Sequence, residues 1–301
     1  MKILGSLLLI YFFFLTLTVA PLCARLVVDQ TGEKIELPAG PTRVLSLAPS
    51  LTEMVYSLEA EDKLVGATRY SNFPAAAKKL PRVGSYVQLD LERIVAIKPD
   101  LCIAIKDGNP RRTVDAIKAL GIPVFAIDPR SIEQIMEAFL LLGDILGVSK
   151  KAEELVSDME HRLLLVKEKV ASSRTRPRVF FQIADSPIVS AGKDSYIDRI
   201  ITLAGGSNLA GSLTEYPRFS WENIMLLQPE VVLISSMAGG KSPDLLKASW
   251  QRWSEIPAVK SNRIYVVNAD LFNRPTVRLI TGLEILAEIL HPEDSGESLA
   301  K

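Results

Sequence analysis

The stretch LERIVAIKPD, residues 91–100, returns later in the chain as WENIMLLQPE, residues 221–230. Glu92 aligns with Glu222, Ile94 with Ile224, Pro99 with Pro229 and Asp100 with Glu230, every pair 130 positions apart. Each copy follows a residue suited to capping a helix, Asp90 or Ser220. Each then runs into an apolar segment, LCIAI (101–105) or VVLIS (231–235), of the length of a strand buried on both faces. The pattern predicts a short helix, a proline-marked turn and a core strand, made twice. A period this long exceeds the roughly 20 to 50 residues of solenoid repeats, so it points to two similar α/β lobes in one chain.

Working outward, RLVVDQTGEKIELP reads as two short strands turning at Thr31 and Gly32, and RVLSLAP (43–49) as a core strand. SLTEMVYSLEA opens on Ser50 and carries Glu53 three residues later, the pattern of a capping box at a helix start. KLVGATRY, LCIAI, TVDAIKALG and PVFAID continue the alternation to residue 128. From Ser131 to Ser172 the pattern becomes helical, with Leu155, Met159, Leu163 and Val166 as the apolar positions of its second half, which reads as a rod between the lobes. RVFFQIA (178–184) resumes as a strand, YIDRIITLAGGSNLAG as a helix and glycine-rich turn, and NRIYVVNAD (262–270) as the last strand. RVLSL with LEAEDKLVG is echoed by RVFFQ with LAGGSNLAG. The expected organisation is a lobe over 26–146, a connecting helix over 147–173, a second lobe over 174–292 and a disordered tail over 293–301. Each lobe is expected to hold a mostly parallel central sheet.

At 301 residues, with 48% hydrophobic and 23% charged content, the chain has material for one large or two medium cores. Lys plus Arg equals Asp plus Glu at 35 each, so no global field draws in nucleic acid or an anionic membrane. Residues 1–24 carry Lys2, an apolar stretch from Ile3 to Ala20 and small residues near Ala24, and read as an export signal cleaved near Ala24, with an uncleaved anchor as the alternative. Pro21 and Leu22 ahead of Cys23 are poor substitutes for the small residues that lipidation needs. Loss of Cys23 would leave Cys102, inside an apolar strand, with no disulfide partner.

Catalytic patterns are missing from this sequence. GGKS (239–242) follows a strand but has Ser235 where a phosphate-binding loop needs its first glycine. There is no Gly-x-Ser-x-Gly elbow and no His-Glu-x-x-His, and only His161 and His291 are present. The expectation is a non-enzymatic binding protein without cofactor or metal, against a secreted hydrolase as the rival class. The loops offer aromatics instead: Tyr70, Phe73, Tyr86, Tyr216, Phe219, Trp221 and Phe272. In an open α/β sheet, ligands sit beyond the carboxyl ends of the strands, where such loops lie, although some of these rings are expected to serve packing.

RVLSLAPSLTEMVYSL, KLVGATRYSNFP, VGSYVQLDLERIVAIKPDLCIA, RVFFQIADSPIVSAG, FSWENIMLLQPEVVLIS and DLFNRPTVRL together resemble the substrate-binding proteins of ABC importers for vitamin B12 and iron chelates, the two-lobed type joined by one rigid helix. The resemblance implies an extracytoplasmic protein, monomeric when free, that binds a small molecule between its lobes and docks on a permease dimer. It implies docking through Glu92 and Glu222, one on each lobe. YSNFP and LDLERI are most similar to the cobalamin branch. That likeness implies Tyr70 and Tyr86 flanking a corrin, Phe219 beside it, and Asp270 and Arg274 in contact with it. The sequence departs from that branch in having Tyr86 and Ile105 where tryptophans are expected, and an iron siderophore or haem is the alternative ligand.

Overall fold

The computed structural model describes residues 25–193, 195–235 and 241–292. The expected signal at 1–24 and the tail at 293–301 lie outside the described residues, as do Gly239 and Gly240 of GGKS.

The first lobe opens with a hairpin, β1 (Arg25–Val28) and β2 (Lys34–Leu37). Its turn is held by Asp29, whose carboxylate accepts from the backbone N–H of Thr31 (2.9 Å) and Glu33 (3.0 Å). Then come β3 (Val44–Ser46), α1 (Pro49–Ser57), β4 (Leu64–Gly66), β5 (Gly84–Ser85), β6 (Gln88–Leu89) and α2 (Leu91–Ile97). β7 (Leu101–Ile105), α3 (Arg111–Ala119), β8 (Val124–Ile127) and α4 (Ile132–Ile145) complete the lobe. The long helix α5 (Ser149–Ser172) leads to β9 (Arg178–Asp185), β10 (Ile188–Ser190), α6 (Tyr196–Leu203), β11 (Ser207–Asn208), β12 (Arg218–Phe219) and α7 (Trp221–Leu227). β13 (Val231–Ser235), α8 (Pro243–Gln251), α9 (Pro257–Lys260), β14 (Ile264–Val267), α10 (Ala269–Phe272) and α11 (Arg278–Leu290) follow.

The first sheet has the order β4-β3-β7-β8, all parallel. In the second, β9, β13 and β14 form a parallel core with β11 also parallel on β9, while β10 and β12 add antiparallel edge strands. Thus β3, β7 and β8 of one lobe correspond to β9, β13 and β14 of the other.

The repeat is reproduced residue for residue. Helices α2 and α7 have seven residues each, end on left-handed residues Lys98 (φ 51°) and Gln228 (φ 46°), and lead to five-residue strands. Asp90 accepts from Arg93 N–H at 3.1 Å and Ser220 from Asn223 N–H at 3.3 Å, which satisfies one orphan donor of each helix. Ile94 and Ile224 are wholly buried beneath their helices, each contributing about 2 kcal/mol relative to exposure. The acid after each proline fastens a neighbouring strand: Asp100 accepts from the N–H of Thr42 (2.8 Å) and Arg43 (2.9 Å), and Glu230 from that of Arg178 (2.8 Å). Arg43 and Arg178 reach back to carbonyls at the C-termini of α2 and α7.

Helix α5 buries Ala152, Val156, Met159, Leu163, Val166 and Val170, a stripe at three- and four-residue steps that joins the cores of both lobes into one apolar cluster; Leu155 packs at its edge. Arg162 binds Glu284 through two hydrogen bonds (2.8 and 2.7 Å) and Thr281 through a third (2.9 Å), tying α5 to α11. The rod is therefore packed along its length. Cys102 is buried in β7, and burial pushes its thiol pKa up to about 12, so it stays an unreactive thiol. No described helix is long and apolar enough to cross a membrane.

The capping box expected from Ser50 and Glu53 does not form. Pro49 takes the first helical position, making Ala48 the N-cap, and places Glu53 beyond reach of the cap N–H. Glu53 is buried and points to the other lobe.

Candidate functional site

A cavity of about 690 Å³ lies between the lobes. Its first-lobe wall comes from segments that leave the carboxyl ends of the strands: Ala48 and Pro49 after β3, Ile105 and Asp107 at the end of β7, and Asp128, Pro129 and Arg130 after β8. The second lobe supplies Tyr196, Tyr216 and, after β14, Asp270, Asn273 and Arg274. This is where parallel α/β sheets place their ligands.

Four tyrosines give the cavity its character. Tyr70 and Tyr86 stand on the first lobe, partly exposed, and Tyr196 and Tyr216 on the second. Tyr86 is set by two devices. Asn109 donates to the carbonyls of Tyr86 (2.9 Å) and Leu47 (2.8 Å) while accepting from Ile105 N–H (2.8 Å), which knits three loops together. Gly108, at φ 149°, lets the Tyr86 ring lie against the backbone, for a Cβ there would meet it at 3.1 Å. Tyr196 donates its hydroxyl to the Asn273 carbonyl at 2.7 Å, and burial pushes its pKa upward. Burial also raises Tyr216, with the Asp107 charge adding to the rise and Arg130 opposing it.

At the cavity edge a charged cluster crosses between lobes. Glu53 of α1, 2% exposed, pairs with Arg274 at 2.5 Å and Arg278 at 3.4 Å and accepts from Thr276 at 3.4 Å. Arg274 also pairs with Asp270 at 2.9 Å and donates to Asn72 at 3.2 Å. Arg278 lies 4.1 Å from the centre of the Phe73 ring. Burial drives the Glu53 pKa up; the hydrogen bond and charge of Arg274, then the charge of Arg278, pull against that rise without cancelling it.

Of the residues expected at the ligand, Tyr70, Tyr86, Asp270 and Arg274 do line one cavity. Arg274 is committed to Glu53 and Asp270 and is only 13% exposed, so it is a lobe-to-lobe tie as well as part of the wall. Phe219 is elsewhere. It pairs in β12 with Ile188 and packs edge-on against Phe180, 5.2 Å between centroids, on the outer core of the second lobe. A strand residue facing a buried apolar surface packs before it reaches for solvent. Trp221 stacks on Trp253 at 5.3 Å, and Phe272 is buried against Phe181. Glu92 and Glu222 are exposed in the first turns of α2 and α7, outside the cavity lining. The Ser220 hydroxyl and the backbone at the helix start hold the Glu222 carboxyl below its usual range.

Sequence reading missed Tyr196, Asp107, Asp128, Arg130 and the role of Glu53, and left Tyr216 among the undifferentiated aromatics. One signal was available. Asp128 and Arg130 follow the last strand of the first lobe as Asp270 and Arg274 follow that of the second.

The sequence profile of a family described as "Periplasmic binding protein" matches residues 44–271. A vitamin B12-binding protein of Yersinia pestis (strain Pestoides F) is 32% identical over 256 residues, covering 84% of this chain and 88% of that protein. The crystal structure of the periplasmic vitamin B12 binding protein BtuF of Vibrio cholerae is 29% identical with a TM-score of 0.75, covering 86% of this chain and all of that one (100%). A periplasmic heme binding protein from Pseudomonas aeruginosa is 28% identical with a TM-score of 0.78, covering 87% of this chain and 96% of that one.

Proposed function

The chain belongs to the periplasmic binding protein family, and on that premise we propose that it captures a cobalamin-type corrinoid between its lobes and delivers it to an ABC importer. Family membership carries a binding role and an extracytoplasmic location. The observation that carries the ligand is the cavity itself. It is large, about 690 Å³, and walled by tyrosines from both lobes, so a broad ring seated there has aromatic faces on either side. The vitamin B12-binding name of the Yersinia relative supports the same reading. Delivery rests on Glu92 and Glu222, exposed at matching places on the two lobes, where a two-fold permease would meet them in one orientation. A haem or iron-chelate ligand is the second reading, favoured by the fold's likeness to the Pseudomonas protein.

Equilibrium dialysis with cyanocobalamin tests the corrinoid site. Wild type should retain the ligand, and Tyr86→Ala and Tyr216→Ala should each weaken retention about tenfold, the scale of one lost aromatic contact with its buried area. No retention by wild type, or retention untouched by both substitutions, would refute a corrinoid in this cavity.

A further inference from the structure

Among the described residues, the lining of the cavity contains two cations, Arg130 and Arg274, one from each lobe, and three carboxylates, Asp107, Asp128 and Asp270. Both arginines are already paired with carboxylates. Arg274 is held by Glu53 and Asp270. Arg130 is held by Asp107 at 2.5 Å and Asp128 at 2.9 Å. The two clamps differ in kind. Arg274 is nearly enclosed and ties the lobes together, whereas the Arg130 and Asp107 side chains are about half exposed, 48% and 56%. Asp128 also takes Lys106 at 2.8 Å, so it has a second cation and is a fixed anchor. Asp107 has no second cation among the ion pairs of the described residues, and its charge reaches Tyr216 on the opposite wall.

From this we infer that Asp107 is a specificity-determining residue: by occupying Arg130 it denies the cavity a cation for ligand carboxylates. The cavity then favours rings whose edges carry uncharged amides, such as corrinoids, over rings that carry carboxylates, such as haem with its two propionates. The physical basis is that an arginine already in a two-carboxylate fork gains little from a third anion. Lobe two offers no substitute, because withdrawing Arg274 from the buried Glu53 would leave that carboxylate with weaker compensation. The inference rests on the corrinoid reading for the preferred ligand, but the gate against carboxylates can be measured by itself.

The experiment is an absorbance titration with haem, alongside cyanocobalamin dialysis, for wild type, Asp107→Asn and Asp107→Asn with Arg130→Ala. Asp107 is on the surface, so the first substitution leaves the core intact. Asp107→Asn should bind haem about tenfold tighter than wild type or better, the scale of one hydrogen bond to a charged group, and the added Arg130→Ala should return haem binding to the wild-type level. Because Asp107 lines the cavity, the readout is the ratio of haem to cyanocobalamin affinity, which should rise about tenfold in Asp107→Asn whatever loss the two ligands share. Haem affinity unchanged in Asp107→Asn would overturn the gate, as would a gain that survives loss of Arg130. If wild type ignores cyanocobalamin while the haem gain appears, the gate stands and the corrinoid reading falls.

Discussion

The tips at α2 and α7 are built on one backbone and dressed differently. Both have seven residues, a side-chain cap, a buried isoleucine fourth residue and a left-handed end. On the first, Arg93 pairs with Asp90 at 3.1 Å and the outward residues after it are Val95 and Ala96. On the second, Ser220 and Asn223 form a capping box, Trp221 stacks against Trp253, and Met225 and Leu226 face outward, Leu226 being 82% exposed. Buried and capping positions repeat because the backbone geometry needs them. The outward positions are under no such demand and have diverged, with one exception: the second residue of each helix is an exposed glutamate. The helix start favours an acid there, as the lowered pKa of Glu222 shows, at a modest gain. Under the delivery role proposed above the two glutamates face a partner, and their unequal neighbours would then make two unequal contacts.

Reversing both charges should have the largest effect. Glu92→Arg with Glu222→Arg would face permease cations with like charge at both tips, weakening association with the transporter on the order of 100-fold and stopping uptake, while cyanocobalamin affinity stays unchanged. Pull-down by the detergent-solubilised permease, paired with dialysis, reads both quantities. Single changes sharpen the asymmetry. Glu222→Ala, beside exposed Met225 and Leu226, should cost more than Glu92→Ala beside Val95 and Ala96, about tenfold against about threefold, because a charge next to an apolar anchor is better shielded from water. Equal losses would mean that the apolar residues make no contact.

The caps should behave alike where the outward faces do not. Asp90→Ala and Ser220→Ala should each lower stability by about 1 kcal/mol in urea unfolding, since each removes one satisfied helix donor. The smallest expected change concerns the spacing of the tips. With α5 packed into both cores and Glu53 tied to Arg274, ligand binding should move the tips by no more than about 2 Å, well short of a hinge closure. Spin labels at Val95→Cys and Met225→Cys would read this distance, and buried Cys102 should remain unlabelled.

How much of this could be read from sequence follows from the range of the interactions. The repeated helix, turn and strand were legible because caps, proline turns and apolar runs are local devices, and each left its mark within ten residues. Glu53 was misread for the complementary reason. Three residues after a serine it satisfies a local capping rule, yet its partners Arg274 and Arg278 lie more than 220 positions away. Phe219 failed similarly: a loop-like context hid a two-residue strand whose ring belongs to the core. Tyr70, Tyr86, Asp270 and Arg274, which line the cavity, were singled out because they sit in stretches resembling a known family. Arg130 and Asp107 lie in loops without such likeness, and only the packing of the strand ends brings them together.

The cavity is expected to receive a corrinoid. Isothermal titration of the chain from residue 25 onward with cyanocobalamin, haem and a ferric siderophore tests it most directly. One site per chain for cyanocobalamin is expected, with tighter binding than either iron ligand. Tighter binding of haem or of the siderophore would contradict it and make this an iron-ligand carrier.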